Sequence, residues 1–86
     1  MPVVQTWREP RGKTKYASTG KEPEPHGDNV DLACWMLSDK IDTVALDSGL
    51  TVGEVYYQVT RPLGMSLDDT QVLVTQCSKR GYLRRA

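Results

Sequence analysis

Four cations, Lys79, Arg80, Arg84 and Arg85, fall within residues 78–86, with no acidic residue among them. Lysine and arginine at that density suit phosphate, which guanidinium groups grip through paired N–H donors. A second group, Arg8, Arg11, Lys13 and Lys15, lies near the N-terminus, where a basic arm could follow a nucleic-acid groove. Gln71, Thr75 and Lys79 recur at intervals of four, which puts them on one face of a helix. Amide, hydroxyl and ammonium groups so arranged can address base edges or phosphate.

Catalytic chemistry is harder to assemble. His26 is the only histidine and stands among prolines and glycines. No serine or cysteine has a base placed beside it by the sequence pattern. Zinc requires four ligands at suitable spacing, whereas His26, Cys34 and Cys77 supply three that are scattered. No glycine-rich phosphate loop occurs. The chain therefore reads as a binding protein, not an enzyme, with neither metal nor cofactor expected. Cys34 and Cys77 are expected as buried, reduced thiols that pack as small apolar groups.

The net charge of zero conceals three blocks. Residues 1–27 carry five cations against three carboxylates, +2. Residues 28–77 carry eight carboxylates against Lys40 and Arg61, −6. Residues 78–86 are +4. An acidic body with basic ends differs from the evenly basic face of many DNA-binding domains. Any phosphate contact is therefore expected at the ends.

At 86 residues the chain allows one small domain with a modest core. Apolar residues are 38% and phenylalanine is absent, which leaves part of the chain little to bury. No apolar run approaches the ~18 residues of a membrane span. The absence of a signal region and of a cysteine framework points to the cytoplasm.

Residues 1–27 read as an extended or flexible arm. Val3–Trp7 alternates like a short strand. Residues 8–28 are rich in proline, glycine and charge, and offer only Tyr16 and Ala17 for burial. From Asp28 the pattern becomes helical, making 28–86 the folded unit. Asp28 with Asp31, Thr51 with Glu54 and Ser66 with Asp69 each pair a capping acceptor with a carboxylate three residues on. Leu50 and Val55 suit an apolar staple across the second of these starts.

The first helix is predicted from Asn29 to Asp47. Val30, Ala33, Cys34, Leu37, Ile41, Val44 and Ala45 form its stripe, widened by Trp35 and Met36, and Gly49 ends it. A break at Asp39-Lys40 is an alternative. The second helix spans Val52–Arg61, stopping before Pro62. The third spans Leu67–Lys79, with Leu67, Thr70, Leu73, Val74 and Cys77 inward and Asp68, Gln71, Thr75 and Lys79 outward. Gly81 stops it, and Tyr82–Arg84 follows as a strand.

This order of parts resembles a winged helix-turn-helix domain over residues 28–85. Leu-Thr-Val-Gly-Glu-Val-Tyr-Tyr-Gln-Val at 50–59 is similar to the second helix of that superfamily. Met-Ser-Leu-Asp-Asp-Thr-Gln-Val-Leu-Val at 65–74 is similar to the opening of its recognition helix. Lys-Arg-Gly-Tyr-Leu-Arg-Arg at 79–85 is similar to the exit into the wing. A second register, carried by Ala45, Gly49, Leu50 and Val55, resembles a simple helix-turn-helix with Val52–Val59 as recognition helix. The winged register implies a mainly α fold: three helices, a short C-terminal strand and a largely extended N-terminal arm. In that fold Val3–Trp7 is expected to pair with Tyr82–Arg84.

The resemblance implies a DNA-binding transcriptional regulator. Gln71, Thr75 and Lys79 would face the major groove, and Arg80, Arg84, Arg85 and the arm cations Arg8, Arg11, Lys13 and Lys15 would hold the backbone. Homodimerisation through the first helix and Trp35 would double the contacts. Asp68 and Asp69 oppose this at the head of the recognition helix, because carboxylates repel phosphate. The alternative is an adaptor of the same fold that binds protein, with Trp35 and Tyr57 as contact residues.

Overall fold

The computed structural model describes residues 13–86. The chain is mainly helical with a small antiparallel sheet of three strands. In order these are β1 (Lys15–Ser18), α1 (Asn29–Ala45), β2 (Leu50–Thr51), α2 (Val52–Val55), α3 (Leu67–Lys79) and β3 (Leu83–Arg85).

Two of the three capping pairs form in full. Asp28 and Thr51 each accept from the third residue's N–H, and Asp31 and Glu54 return the bond to the cap's own N–H. At α3 one half is made: Ser66 Oγ accepts from Asp69 N–H at 3.1 Å. α1 runs unbroken through Asp39-Lys40. It ends earlier than its apolar pattern suggests, with Leu46 in the left-handed region at φ 52°. A 3-10 turn, Leu46–Ser48, then leads to Gly49, which therefore ends this turn and not α1. Gly49 has φ +73°, and a Cβ there would stand 2.8 Å from the Tyr16 carbonyl oxygen. The close approach of β1 thus requires glycine at this position.

The second helical segment extends past its expected stop. Four α residues pass into a π turn, Tyr56–Thr60, where Arg61 N–H donates to Tyr56 O. A 3-10 turn, Arg61–Leu63, follows and accommodates Pro62 in its first positions, where no N–H is needed. Gly64, at φ +88°, closes the segment: Gly64 N–H reaches Arg61 O and Met65 N–H reaches Thr60 O. The wider π turn lets Val59 and Thr60 both face inward beside Val52 and Val55.

α1, α2, the π turn and α3 enclose Cys34, Leu37, Ile41, Val55, Val59, Val74 and Cys77, with Leu50 and Leu83 added from the sheet and Tyr82 from the turn before β3. Each large aliphatic side chain buried here stabilises the fold by about 1.5–3 kcal/mol. The α1 stripe is narrower than predicted: Val30, Met36 and Val44 are exposed. Ser38 takes a core position instead, because its hydroxyl donates to Tyr82 O at 3.1 Å while bonded to Ser18 Oγ at 2.6 Å. On α3 the inward set is as predicted: Thr70, Val74 and Cys77 are buried, and Leu67 and Leu73 pack against them. Cys34 and Cys77 are both buried and unbridged.

The N-terminal segment departs most from its sequence reading. β1 lies inside residues 1–27, yet it is the central strand of the sheet. It pairs with β2 (Tyr16 opposite Leu50) and with β3 (Tyr16, Ala17 and Ser18 opposite Arg85, Arg84 and Leu83). Ala17 is fully buried against α1. The expected strand Val3–Trp7 lies outside the described residues; the strand paired with β3 is Lys15–Ser18. Beyond β1 the chain clasps the end of α3. Thr19 donates its hydroxyl to Gly81 O, Lys21 Nζ donates to Arg80 O at 2.8 Å, and Glu24 N–H meets the Tyr82 hydroxyl. The Lys21 ammonium also lies 4.6 Å from the centre of the Tyr82 ring, a cation–π contact.

Candidate nucleic-acid interface

α3 is fixed at both ends before its outer face comes into play. Ser66 caps its start. At its end Tyr82 N–H donates to Cys77 O and Gly81 N–H to Ser78 O, with Gly81 at φ +86°. This paired closure needs a left-handed residue, and Tyr82 is carried by it into the core. The chain then turns directly into β3, so the last turn of α3 and the strand lie side by side.

The exposed stripe of α3 is Asp68, Val72, Thr75 and Lys79, spaced four, three and four. Gln71 is half-buried on its flank. Charge is polarised along the stripe, with Asp68 and Asp69 at the head and Lys79 in the last turn. At ~1.5 Å rise per residue, Asp68 and Lys79 are about 16 Å apart. That is twice the ~8 Å screening length at physiological salt, so the acidic head does not cancel the basic end.

Beside the basic end lies a groove of about 310 Å³ between α3 and β3. Thr75, Ser78 and Lys79 line one side and Arg85 the other, with Arg84 at the margin, its guanidinium turned to Asp47. Tyr16 of β1 and the buried Leu83 underlie it. Tyr16 and Arg85 are register partners, so they project from the same face of the sheet. The lining holds three cations and no carboxylate. Ser78 Oγ is buried without a hydrogen-bond partner among the described residues.

The structure thus brings Thr75, Lys79, Arg84 and Arg85 together. Arg84 also reaches exposed Asp47 at 3.1 Å. Such a surface pair is worth ~0–1 kcal/mol, so an incoming phosphate can displace it. Arg80 is drawn elsewhere: its guanidinium meets Asp28 and Asp31. Lys13 and Lys15 are exposed but outside the groove lining, and Lys15 stands opposite Thr51 on the β2 side. Arg8 and Arg11 lie outside the described residues.

The two aromatic residues expected to meet partners have different settings. Trp35 is half-buried against the core and lines a smaller hollow of about 190 Å³ with Lys21, Asp39 and Asp42. Tyr57 is 61% exposed, edge-on to Tyr56, with the Arg61 guanidinium 5.4 Å from its ring centre.

The sequence reading missed Tyr16 and Ser78 as groove residues. Tyr16 and Ala17 are the two residues of 8–28 with something to bury, but the glycines and prolines around them suggested a loose arm. Ser78 carried no signal, because only the position of β3 turns it toward a groove.

The fold and groove define a mainly helical domain in which three cations line a groove where the third helix meets the sheet. No protein-family model, curated protein or solved structure matches this chain. Among the described residues, no helix is long and apolar enough to cross a membrane.

Proposed function

We propose that this chain is a small nucleic-acid-binding protein of winged helix-turn-helix type, acting as a DNA-binding transcriptional regulator. The observation that carries this reading is the groove in which Thr75 and Lys79 of α3 meet Arg85 of β3 with no carboxylate in its lining, and with Arg84 at its margin. The sequence of three helical segments followed by a strand supports the winged reading. Lys79, Arg84 and Arg85 contact backbone phosphates, and Thr75 and Gln71 are nearest to base edges. A homodimer through the exposed α1 residues Leu32 and Met36 would present two such grooves.

The test is fluorescence anisotropy of a labelled random duplex titrated with the protein at low and high salt. Micromolar binding that weakens steeply with salt supports the reading, and absence of binding at low salt removes it. Asp68→Asn locates the contact. It tightens low-salt binding if the head of α3 faces DNA, and leaves affinity unchanged if contact is confined to the basic end.

A second reading, a protein-binding adaptor, is favoured by the exposed Tyr57 and by Leu63, which is 76% exposed in the adjoining turn. Binding of no nucleic acid at low salt, with self-association or partner capture lost in Tyr57→Ala, would establish it.

A further inference from the structure

Resting on the nucleic-acid reading, we infer that the α3–β3 groove is a subsite for a single strand. One phosphodiester sits between Lys79 and Arg85, and the neighbouring unpaired base lies against Tyr16. Three features carry this. First, the aromatic residue is at the floor and the cations are at the walls. Sequence-tolerant strand binding uses this arrangement: cations track the backbone and an aromatic side chain receives the base. Second, the size fits. About 310 Å³ lies at the lower end of the ~300–1,000 Å³ range of small-molecule sites, room for one nucleoside unit. Third, duplex geometry does not reach the floor. A duplex presents phosphates on a convex surface with its bases stacked inside, so it can touch Lys79 and Arg85 but cannot deliver a base to Tyr16. The Ser78 hydroxyl lacks a partner among the described residues and is a donor suited to a phosphate or base oxygen, whereas the Thr75 hydroxyl already donates to Gln71 O at 2.9 Å and offers only its lone pairs.

The acidic head of α3 agrees with this placement. Asp68 and Asp69 oppose insertion of the helix into a major groove, yet they stand about 16 Å from Lys79 along the helix. A strand held across the basic end avoids them, whereas a duplex laid along α3 does not.

The test titrates the full chain against labelled oligothymidylate about a dozen nucleotides long, and against a duplex of the same length, at low and high salt. The expected result is tighter binding of the single strand by about tenfold. Tyr16→Leu weakens it by about tenfold while changing duplex binding less than twofold, and Arg85→Gln weakens both. Because Tyr16 also packs on the core, the unsubstituted protein supplies a second measurement. Oligothymidylate must shift the amide resonances of Tyr16, Thr75, Lys79 and Arg85 above those of Tyr57 and Asp68. Equal or tighter duplex binding, or shifts centred on Asp68, overturns the single-strand subsite and leaves the nucleic-acid reading standing. Failure of both probes to bind at low salt overturns the two together.

Discussion

The Arg80 guanidinium lies 2.9 Å from Asp31 Oδ1, and the same group lies 3.0 Å from Asp28 Oδ1. Those carboxylates already form the capping box of α1. One arginine at the end of α3 thereby ties the start of α1 to the third helix, while the negative charge of the two carboxylates suits the positive end of the α1 dipole. Arg80, next to Lys79 in sequence, is thus part of the scaffold and not of the basic groove.

That division of labour separates two neighbouring arginines experimentally. Arg80→Gln is expected to lower the melting temperature by a few degrees and to leave nucleic-acid affinity within twofold. Arg85→Gln should leave the melting temperature unchanged and reduce the slope of log affinity against log salt by about 0.7–0.9, one phosphate contact. Calorimetry and anisotropy on the two variants check this, and a loss of affinity in Arg80→Gln equal to that of Arg85→Gln would contradict it.

Asp28 makes the stability of the domain sensitive to acid. The Asp31 N–H, and after it the Arg80 guanidinium, hold its carboxyl below its ordinary value of 3.8. The unfolded chain therefore binds this proton at a higher pH than the native chain does. The stabilisation is complete above the ordinary value and is lost as pH falls through the lower folded value. Asparagine is an equally good cap but carries no charge. Asp28→Asn should therefore melt lower than the wild type at neutral pH, and the two curves should converge as pH falls below the ordinary value of 3.8.

Ala17 tests whether β1 belongs to the core. It is fully buried in the central strand, which packs on α1, so a larger side chain must displace its neighbours. Ala17→Leu should cost about 1–3 kcal/mol in urea unfolding. A loose arm would tolerate the same change without effect, so an unchanged midpoint would remove β1 from the folded unit.

Cys34 and Cys77 should be inert in the native protein. Burial, followed by the neighbouring Cys34 thiol, pushes the Cys77 thiol above its ordinary value of 9.0, so little thiolate is present near neutrality. Iodoacetamide at pH 8 is expected to modify both in guanidinium chloride and to react roughly a hundredfold more slowly without it. Mass spectrometry of quenched samples reads the difference, and rapid native labelling of either thiol would contradict the packing.

The helices were legible because their signals are local. Asp28, Thr51 and Ser66 announce three starts by side-chain bonds that reach only three residues, and Gly81 marks a stop through its own φ. The inward face of α3 followed from spacing alone, since Thr70, Val74 and Cys77 must share a side of any helix. The π turn escaped notice because it depends on how Val59 and Thr60 are drawn inward by the helices around them, not on a residue type at one position.

What the sequence by itself determined is therefore the set of helical segments, their polarity and the +4 cluster at residues 78–86. Tertiary structure alone decided that Lys15–Ser18 occupies the middle of the sheet. Its four residues have little to bury on their own, and gain stability only when Leu50–Thr51 and Leu83–Arg85 arrive on either side. Tertiary structure also sorted the cations. Arg80 was drawn to Asp28 and Asp31, 52 and 49 positions earlier in the chain, and Arg84 to Asp47, while Lys79 and Arg85 were left beside Tyr16. Which charge is neutralised depends on what folding brings within a few ångströms, and no local pattern encodes that distance.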